Sequence, residues 1–178
     1  MKASVYIATS LDGFIARENG SLDWLPGAAD ATESLEDFGY KAFMDSVDAL
    51  VMGRKTFEFV AGLGSWPYTK PVIVMSQSLR SLPEHLPNNV QLVNGDAKEM
   101  YQKLEQDGLK HLYIDGGQTI QAFLRAGLID ELTLTRVPIL IGLGVPLFGA
   151  LPHDVRLEHQ ETRAFDNGFV QSRYKIIW

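Results

Sequence analysis

Short apolar runs alternate with amphipathic stretches over most of the chain. Six runs have the length and side-chain character of buried strands: Val5 to Ala8, Ala49 to Met52, Val72 to Met75, Val90 to Val93, Leu112 to Ile114 and Leu132 to Val137. Apolar residues recur at helical spacing between several of them, in the stretches Leu35 to Val47, Asp96 to Gly108 and Thr119 to Ala126. The alternation of strands and helices predicts a mostly parallel sheet with helices on both faces.

Local sequence features predict where some of these elements begin and end. Asp96 and Glu99 have the spacing of a capping box at a helix start, and Gly108 predicts the end of the same helix. Near the end of the chain, Val155 to Thr162 and Phe169 to Ile177 flank the turn sequence Asp166-Asn167-Gly168. We therefore predict a C-terminal antiparallel hairpin on the edge of an α/β protein with three layers and a central sheet of about eight strands.

Composition narrows the classes of function. The 178 residues fit one domain over positions 1–178, and 16 Lys and Arg against 22 Asp and Glu give a net charge of -6. Such a balance argues against nucleic-acid binding, and the absence of cysteine excludes disulfides, thiol nucleophiles and Cys-ligated zinc. The chain has no apolar run of membrane-spanning length and no secretory signal at its N-terminus, so we expect a cytoplasmic protein without a membrane partner.

Two glycine-containing segments follow predicted strands, where open α/β sheets bind their ligands. Gly53, Arg54, Lys55 and Thr56 form the first, and Gly116, Gly117, Gln118 and Thr119 form the second. Glycine allows close approach of the backbone, and the amides at a helix start attract anions such as phosphate. Ordinary tight turns are the alternative interpretation of both segments, and the GxGxxG fingerprint of dinucleotide-binding domains is absent.

Two further segments give weaker signals. Ser76, Ser78 and Arg80 could bind a ribose phosphate after the Val72 to Met75 strand, although such residues are common in solvated loops. The stretch Ala8 to Ala16 turns at Asp12-Gly13 and returns the apolar pair Phe14-Ile15 to the body of the protein. This pair could pack on a flat ring, or the stretch could be a buried turn.

Few titratable residues are candidates for a metal-binding or catalytic role. The four histidines lack metal-ligand spacing, so we assign no metal, and a Gly-x-Ser-x-Gly elbow is absent. Asp37 shares a predicted helix with Phe38 and Phe43, and at the border of an apolar face its pKa would rise enough to make it a proton donor. The alternative is an exposed helix acid beside Glu36.

Taken in their order along the chain, these segments resemble those of proteins with the dihydrofolate reductase fold. Within it they are most similar to the C-terminal reductase domain of the bifunctional deaminase-reductase of riboflavin biosynthesis. The resemblance covers essentially the whole chain and is carried by Ser10-Leu11-Asp12-Gly13-Phe14-Ile15-Ala16, Val51-Met52-Gly53-Arg54-Lys55-Thr56-Phe57-Glu58, Ile114-Asp115-Gly116-Gly117-Gln118-Thr119, and the run from Gly127-Leu128-Ile129-Asp130-Glu131-Leu132 to Leu147-Phe148.

The resemblance implies an NADPH site. Gly53, Arg54, Lys55 and Thr56 would bind phosphates, and Ser76 and Ser78, with Arg80, would meet the adenosine 2′-phosphate. The pyrophosphate would lie along the second glycine segment, and the nicotinamide would lie between Ala8 and Ile15, positions that this family uses around the ring.

The resemblance also implies substrate residues. Asp37 stands fifteen residues before Met52, where dihydrofolate reductases carry the acid that promotes protonation of the substrate, and Asp12 is a competing polar group or a turn-stabilising one. Further candidates for the wall of the substrate pocket are Trp24, Phe38, Tyr40 and Lys41. Lys70 stands near the position where folate enzymes use an arginine to grip the substrate tail, and a lysine cannot form that bidentate contact.

We therefore predict an NADPH-dependent oxidoreductase that transfers hydride to a C=N bond of a pyrimidine or pterin-like substrate. Its nearest named activity would be 5-amino-6-(5-phosphoribosylamino)uracil reduction. The alternatives are dihydrofolate reduction and a non-catalytic NADP-binding module. Members of the riboflavin branch commonly dimerise through the C-terminal sheet region, so the resemblance also implies a homodimer.

Overall fold

The computed structural model describes residues 1–26 and 36–178, and its elements follow the predicted alternation. The strands and helices in chain order are β1 (Lys2–Ser10), β2 (Phe14–Ala16), α1 (Tyr40–Ser46), β3 (Ala49–Gly53), α2 (Arg54–Ala61), β4 (Val72–Met75), β5 (Val90–Val93), α3 (Ala97–Gln106), β6 (His111–Asp115), α4 (Gly117–Arg125), β7 (Glu131–Val137), β8 (Val145–Pro146), β9 (Arg156–Ala164) and β10 (Val170–Ile177). None of the helices in these ranges is long and apolar enough to cross a membrane.

Eight strands form the central sheet in the order β5-β4-β3-β6-β1-β7-β10-β9. The first six in this order run parallel, whereas β10 pairs antiparallel with both β7 and β9. The predicted mostly parallel sheet with a C-terminal hairpin is therefore confirmed. A separate two-stranded ribbon joins β2 to β8.

Helices cover the sheet on both faces, as the three-layer prediction requires. One core cluster packs α3 and α4 against residues such as Val5, Val51 and Ile114, and a second packs α1 and α2 against Leu50, Met52 and other residues of the opposite face. The predicted capping box at the start of α3 is present: the Asp96 carboxylate accepts the amides of Lys98 and Glu99.

The first helix is shorter than the apolar spacing predicted. Leu35 lies outside the described residues, and α1 begins only at Tyr40. Phe38 and Gly39 have left-handed backbone conformations, with φ of 55° and 82°, and two such residues in succession interrupt an α-helix before Tyr40. Asp37 therefore precedes the helix instead of lying on it.

The sheet opens between β1 and β6 towards the carboxyl ends of the strands. These two strands pair only from Lys2–His111 to Ser4–Tyr113, while β1 continues with β7 as far as Ser10. The Tyr113 hydroxyl donates to the carbonyl oxygen of Tyr6 at 2.9 Å, where the ladder to β6 has ended. The separation leaves a gap in the sheet at the edge where parallel sheets bind ligands.

Candidate functional site

The two predicted glycine turns meet at the carboxyl ends of β3 and β6. The parallel register places Met52 beside Asp115, so the residues that follow, Gly53 and Gly116, lie on neighbouring strand ends. A Cβ atom on Gly53 would lie 2.8 Å from the Thr119 Oγ1 atom, and one on Gly116 would overlap the Thr56 hydroxyl. Both positions therefore need glycine for steric reasons.

Helices α2 and α4 both begin at this meeting point. Their N-cap residues are Gly53 and Gly116, and no side chain caps either helix. The uncapped first-turn amides of each helix can bind an anion, and the partial positive charge of the helix end favours the same ligand. Arg54 and Lys55 stand exposed at the start of α2 and add positive charge.

The serine segment, Ser76 to Arg80, lies beside the start of α2. Gly53 pairs with Met75 across β3 and β4, so Ser76 follows directly on the adjacent strand end. The Ser76 Oγ atom accepts the amides of Ser78 and Leu79 at 3.2 and 2.9 Å, and its hydroxyl proton is still able to donate to a phosphate. Ser78 and Arg80 are exposed on the same loop.

Ile15 lies on the β2–β8 ribbon and contacts the second glycine turn. Its Cδ1 atom lies 2.9 Å from the place where a Cβ on Gly117 would stand. Ala8 lies on β1, beside the gap in the sheet, and packs in a cluster with Trp24, Phe38 and Phe169. The two positions predicted to flank a nicotinamide ring thus stand at the glycine turn and at the sheet opening.

Asp12 fixes a loop instead of presenting a free acid. Its carboxylate accepts the backbone amides of Ile141 and Gly142 at 3.3 and 2.8 Å. A hydrogen bond from the Ser10 side chain, together with these amides, lowers the pKa of this exposed carboxyl. Asp12 is therefore ionised at neutral pH, which suits the turn-stabilising alternative and not proton donation.

The prediction that the pKa of Asp37 is raised is wrong. The carboxylate is exposed and accepts the amides of Gly39 and Lys41 at 2.9 and 3.1 Å, and these two hydrogen bonds lower its pKa. The reason is the position of Asp37 before α1, where a carboxylate can bind the free amides of the helix start. Asp37 thus matches the exposed-acid alternative in its environment.

Asp115 has the environment that the sequence suggested for Asp37. It ends β6 on the edge of the sheet opening, its side chain is half-buried, and burial raises its pKa to about 6 despite a hydrogen bond from the Gly116 amide at 2.8 Å. The sequence pattern does not single out Asp115 as an acid, because the residue is part of the glycine motif Asp115-Gly116-Gly117. The sequence does contain a signal for a buried acid here, because Asp115 stands between an apolar strand and a Gly-Gly turn.

The predicted substrate residues occupy two different environments. Trp24 is 6% exposed, and within residues 1–26 and 36–178 its indole N–H has no hydrogen-bond partner. The Phe38 carbonyl accepts from the hydroxyl of Tyr6 and from the side-chain amide of Gln171, while the Tyr40 ring lies 5.5 Å from that of Tyr6. Lys41, by contrast, points its ammonium at Asp45, 2.7 Å away, on the exposed side of α1.

Other features of the described chain lie away from these residues. A cavity of about 500 Å³ lies beside α2 and the 79–85 loop, and none of the predicted site residues lines it. In residues 1–26 and 36–178, no group of three His, Asp or Glu side chains is placed to hold a metal ion.

The layered sheet and its paired glycine turns define a dihydrofolate reductase-like α/β protein. The family model described as RibD C-terminal domain matches residues 2–171, and the chain belongs to this family. The uncharacterised protein YwjB of Bacillus subtilis strain 168 is 35% identical over 176 residues, which are 97% of each chain. The family supports a reductase of the RibD type.

Solved structures agree on the fold. A protein of Shewanella sp. PV-4, provisionally named for riboflavin biosynthesis, is 41% identical, with complete coverage of both chains and a TM-score of 0.91. A Thermotoga maritima diaminohydroxyphosphoribosylaminopyrimidine deaminase/5-amino-6-(5-phosphoribosylamino)uracil reductase is 15% identical, with a TM-score of 0.71 over 99% of this chain and 56% of that one. At that identity the second match shows the fold alone.

The contact between the glycine turns predicts a specific loss of stability in Gly116→Ala. Gly116 and Gly108 both have positive φ, at 87° and 89°, but only Gly116 has neighbours within 4 Å of an added Cβ. We expect Gly108→Ala to cost about 1 to 2 kcal/mol from backbone strain. Gly116→Ala should cost about 2 kcal/mol more, from overlap with Thr56 and from a ψ of 136°, which lies outside the left-handed region that other residues can adopt. Urea unfolding of both variants measures the difference, and equal losses would contradict the close contact.

The environments of the two acids predict opposite titrations. The side-chain carboxyl ¹³C resonance of Asp115 should titrate near pH 6, because burial disfavours its charged form, and that of Asp37 should titrate below its ordinary value. Asp115→Asn and Asp37→Asn assign the resonances in a pH series of NMR spectra. The reverse order of the two pKa values would remove the distinction drawn between these residues.

Proposed function

We propose that the protein is an NADPH-dependent reductase that delivers hydride to a C=N bond of a pyrimidine or pterin-like heterocycle. The observation that carries this proposal is the meeting of two uncapped helix starts at Gly53 and Gly116. Their amides suit a pyrophosphate, which a dinucleotide supplies. Family membership adds a reductase of the RibD type.

The residues present fit NADPH at this edge. The first turns of α2 and α4, with Arg54 and Lys55, would hold the pyrophosphate. Ser76 and Ser78, with Arg80, would meet the adenosine 2′-phosphate. When bound, the cofactor supplies a hydride from its nicotinamide ring. The positions of Ala8 and Ile15 favour binding of that ring beside the opening between β1 and β6, with the substrate on the side of α1 and α2.

Asp115 would supply the proton. Reduction of a C=N bond adds a hydride to carbon and a proton to nitrogen, so the site needs a protonated acid near the reacting nitrogen. Burial keeps part of the Asp115 population protonated near neutral pH, whereas Asp12 and Asp37 are ionised there. Asp37 would act indirectly, because its hydrogen bonds hold the backbone on which Phe38 and Tyr40 lie.

Cofactor binding is the first test. Arg54→Ala should weaken NADPH binding about tenfold, the value of one charge-assisted hydrogen bond, because Arg54 stands at the start of α2. Arg125→Ala, at the far end of α4, is the matched control and should leave affinity unchanged. Titrations of NADPH and NADH, followed by protein fluorescence, measure both, and equal affinity for the two would argue against a 2′-phosphate site.

Turnover is the second test. With 5-amino-6-(5-phosphoribosylamino)uracil and dihydropteridines as candidate substrates, Asp115→Asn should lower kcat about a hundredfold or more while NADPH affinity is kept. The wild-type rate should fall as pH rises through about 6, because the protonated acid is the donor, and the variant should lose this dependence. Asp37→Asn should have the smaller effect. Absence of turnover with every substrate, with intact NADPH binding, would favour the non-catalytic binding module.

The C-terminal hairpin supports a homodimer. All nine residues of the edge strand β9 are exposed, the apolar Leu157 among them, and so are the neighbouring apolar side chains of Ile177 and Trp178. An uncovered edge strand with apolar neighbours favours association with a second copy. Light scattering at micromolar concentration should give a mass near twice 19.8 kDa, and a monomer would contradict this assembly.

A further inference from the structure

The surface between α1 and α2 is lined by tyrosines and one acid. We call it the tyrosine face and define it by Tyr6, Tyr40, Tyr68 and Asp115. The three tyrosines are half-buried against the core cluster under these helices, and Asp115 ends β6 beside them. The Asp115 carboxyl raises the pKa of Tyr40 and of Tyr68, next to the larger effect of burial, which places all three groups in one electrostatic neighbourhood.

Two hydroxyls on this face are free to bind a ligand. Tyr6 donates to the Phe38 carbonyl at 2.7 Å, but within the described ranges no residue makes a hydrogen bond with the hydroxyl of Tyr40 or of Tyr68. Each hydroxyl can both donate and accept. Together with the aromatic rings they suit a flat heterocycle that carries N–H and C=O groups on its edge.

The cations near this face are held elsewhere. The Lys70 ammonium donates to the carbonyl oxygens of Asp45, at 3.3 Å, and of Val47, at the end of α1. Lys41 pairs with Asp45, and Arg163 pairs with Glu36 at 3.3 Å while lying over the Phe165 ring.

The cofactor side has the opposite character. Arg54, Lys55 and Arg80 stand exposed around the two strand ends, and the ion pair of Arg54 with Glu58 is long, at 3.8 Å. Anion-binding groups are therefore concentrated on the side assigned to NADPH. The tyrosine face presents neutral hydroxyls and the Asp115 carboxyl, and the carboxyls of Asp37 and Glu36 lie close enough to act on Tyr6. A phosphate or carboxylate on the substrate would be desolvated there without a partner.

We propose that the substrate is an uncharged or cationic heterocycle without a phosphate or carboxylate tail, bound through the hydroxyls of Tyr40 and Tyr68. This inference rests on the proposed function, because the tyrosine face is the substrate side only if NADPH occupies the glycine turns. It makes the substrate an unphosphorylated relative of the aminouracils and pterins considered above.

Two matched pairs of probes test the charge class. Calorimetry on protein saturated with NADP⁺ compares 5-amino-6-(5-phosphoribosylamino)uracil with its dephosphorylated form, and 7,8-dihydrofolate with 7,8-dihydropterin. We expect the member without the anionic tail to bind about tenfold or more tightly in at least one pair. The anionic member of that pair should bind better as salt rises, because screening weakens its repulsion by the acids.

The opposite results would overturn the proposal. Tighter binding of the anionic members, weakening with salt, would reveal an anion subsite, and failure of both tail-free probes to bind would exclude this class of ligand. Failure of NADP⁺ itself to bind would instead refute the proposed function, so the two failures are distinguishable.

Three conservative variants test the hydroxyls. Tyr40→Phe and Tyr68→Phe keep the rings and should each weaken binding of the tail-free probe about five- to tenfold, as expected for one lost hydrogen bond, with NADP⁺ affinity unchanged. Tyr174→Phe, in the C-terminal hairpin against His159, is the matched control and should change neither. Unchanged affinity for the probe in both test variants would refute the assignment of these hydroxyls.

Discussion

Gly53 and Gly116 bring two strand-to-helix turns so close that neither position has room for a side-chain carbon, and the rest of the site follows from this contact. Because the turns meet, the starts of α2 and α4 converge, and neither helix has a side-chain cap. An internal cap would have satisfied these amides and left them unable to bind a ligand. The structure thus leaves local hydrogen bonds unmade where a ligand can make them.

The separation of β1 from β6 is the second structural feature that shapes the site. After Ser4 the β1 strand continues with β7 alone, and hydrogen bonds of Tyr113 and Gln171 hold Tyr6 beside the gap. The Gln171 amide also donates to the Phe38 carbonyl and to Thr135, so one side chain ties β10, β7, β1 and the segment before α1 together. Rigid support of this kind keeps a cofactor and a substrate in fixed relative positions.

Sequence patterns predicted the parts of the fold that depend on local periodicity. The apolar runs predicted the strands, Asp96 and Glu99 predicted a cap, and the glycine segments predicted two strand-to-helix turns, because each depends on neighbours within a few residues. The apolar spacing wrongly placed Asp37 on a helix. Phe38 and Gly39 have left-handed backbone conformations, which apolar spacing does not reveal, and the helix begins only after them. Sequence patterns also did not predict the contacts of Lys70. Its ammonium donates to backbone carbonyls more than twenty residues away along the chain.

The roles of the aspartates show why spacing alone cannot assign chemistry. Asp37 and Asp115 both neighbour a helix start, but Asp37 is exposed and accepts two amides, whereas Asp115 is half-buried and accepts one. Two amide hydrogen bonds in water stabilise the anion, while loss of water around Asp115 outweighs its single bond. Which of the two acids has the higher pKa is therefore decided by the water that the folded chain removes, and this depends on residues distant in the sequence. Counting along the chain from Met52 identifies a carboxyl group, but only the tertiary structure identifies its protonation state.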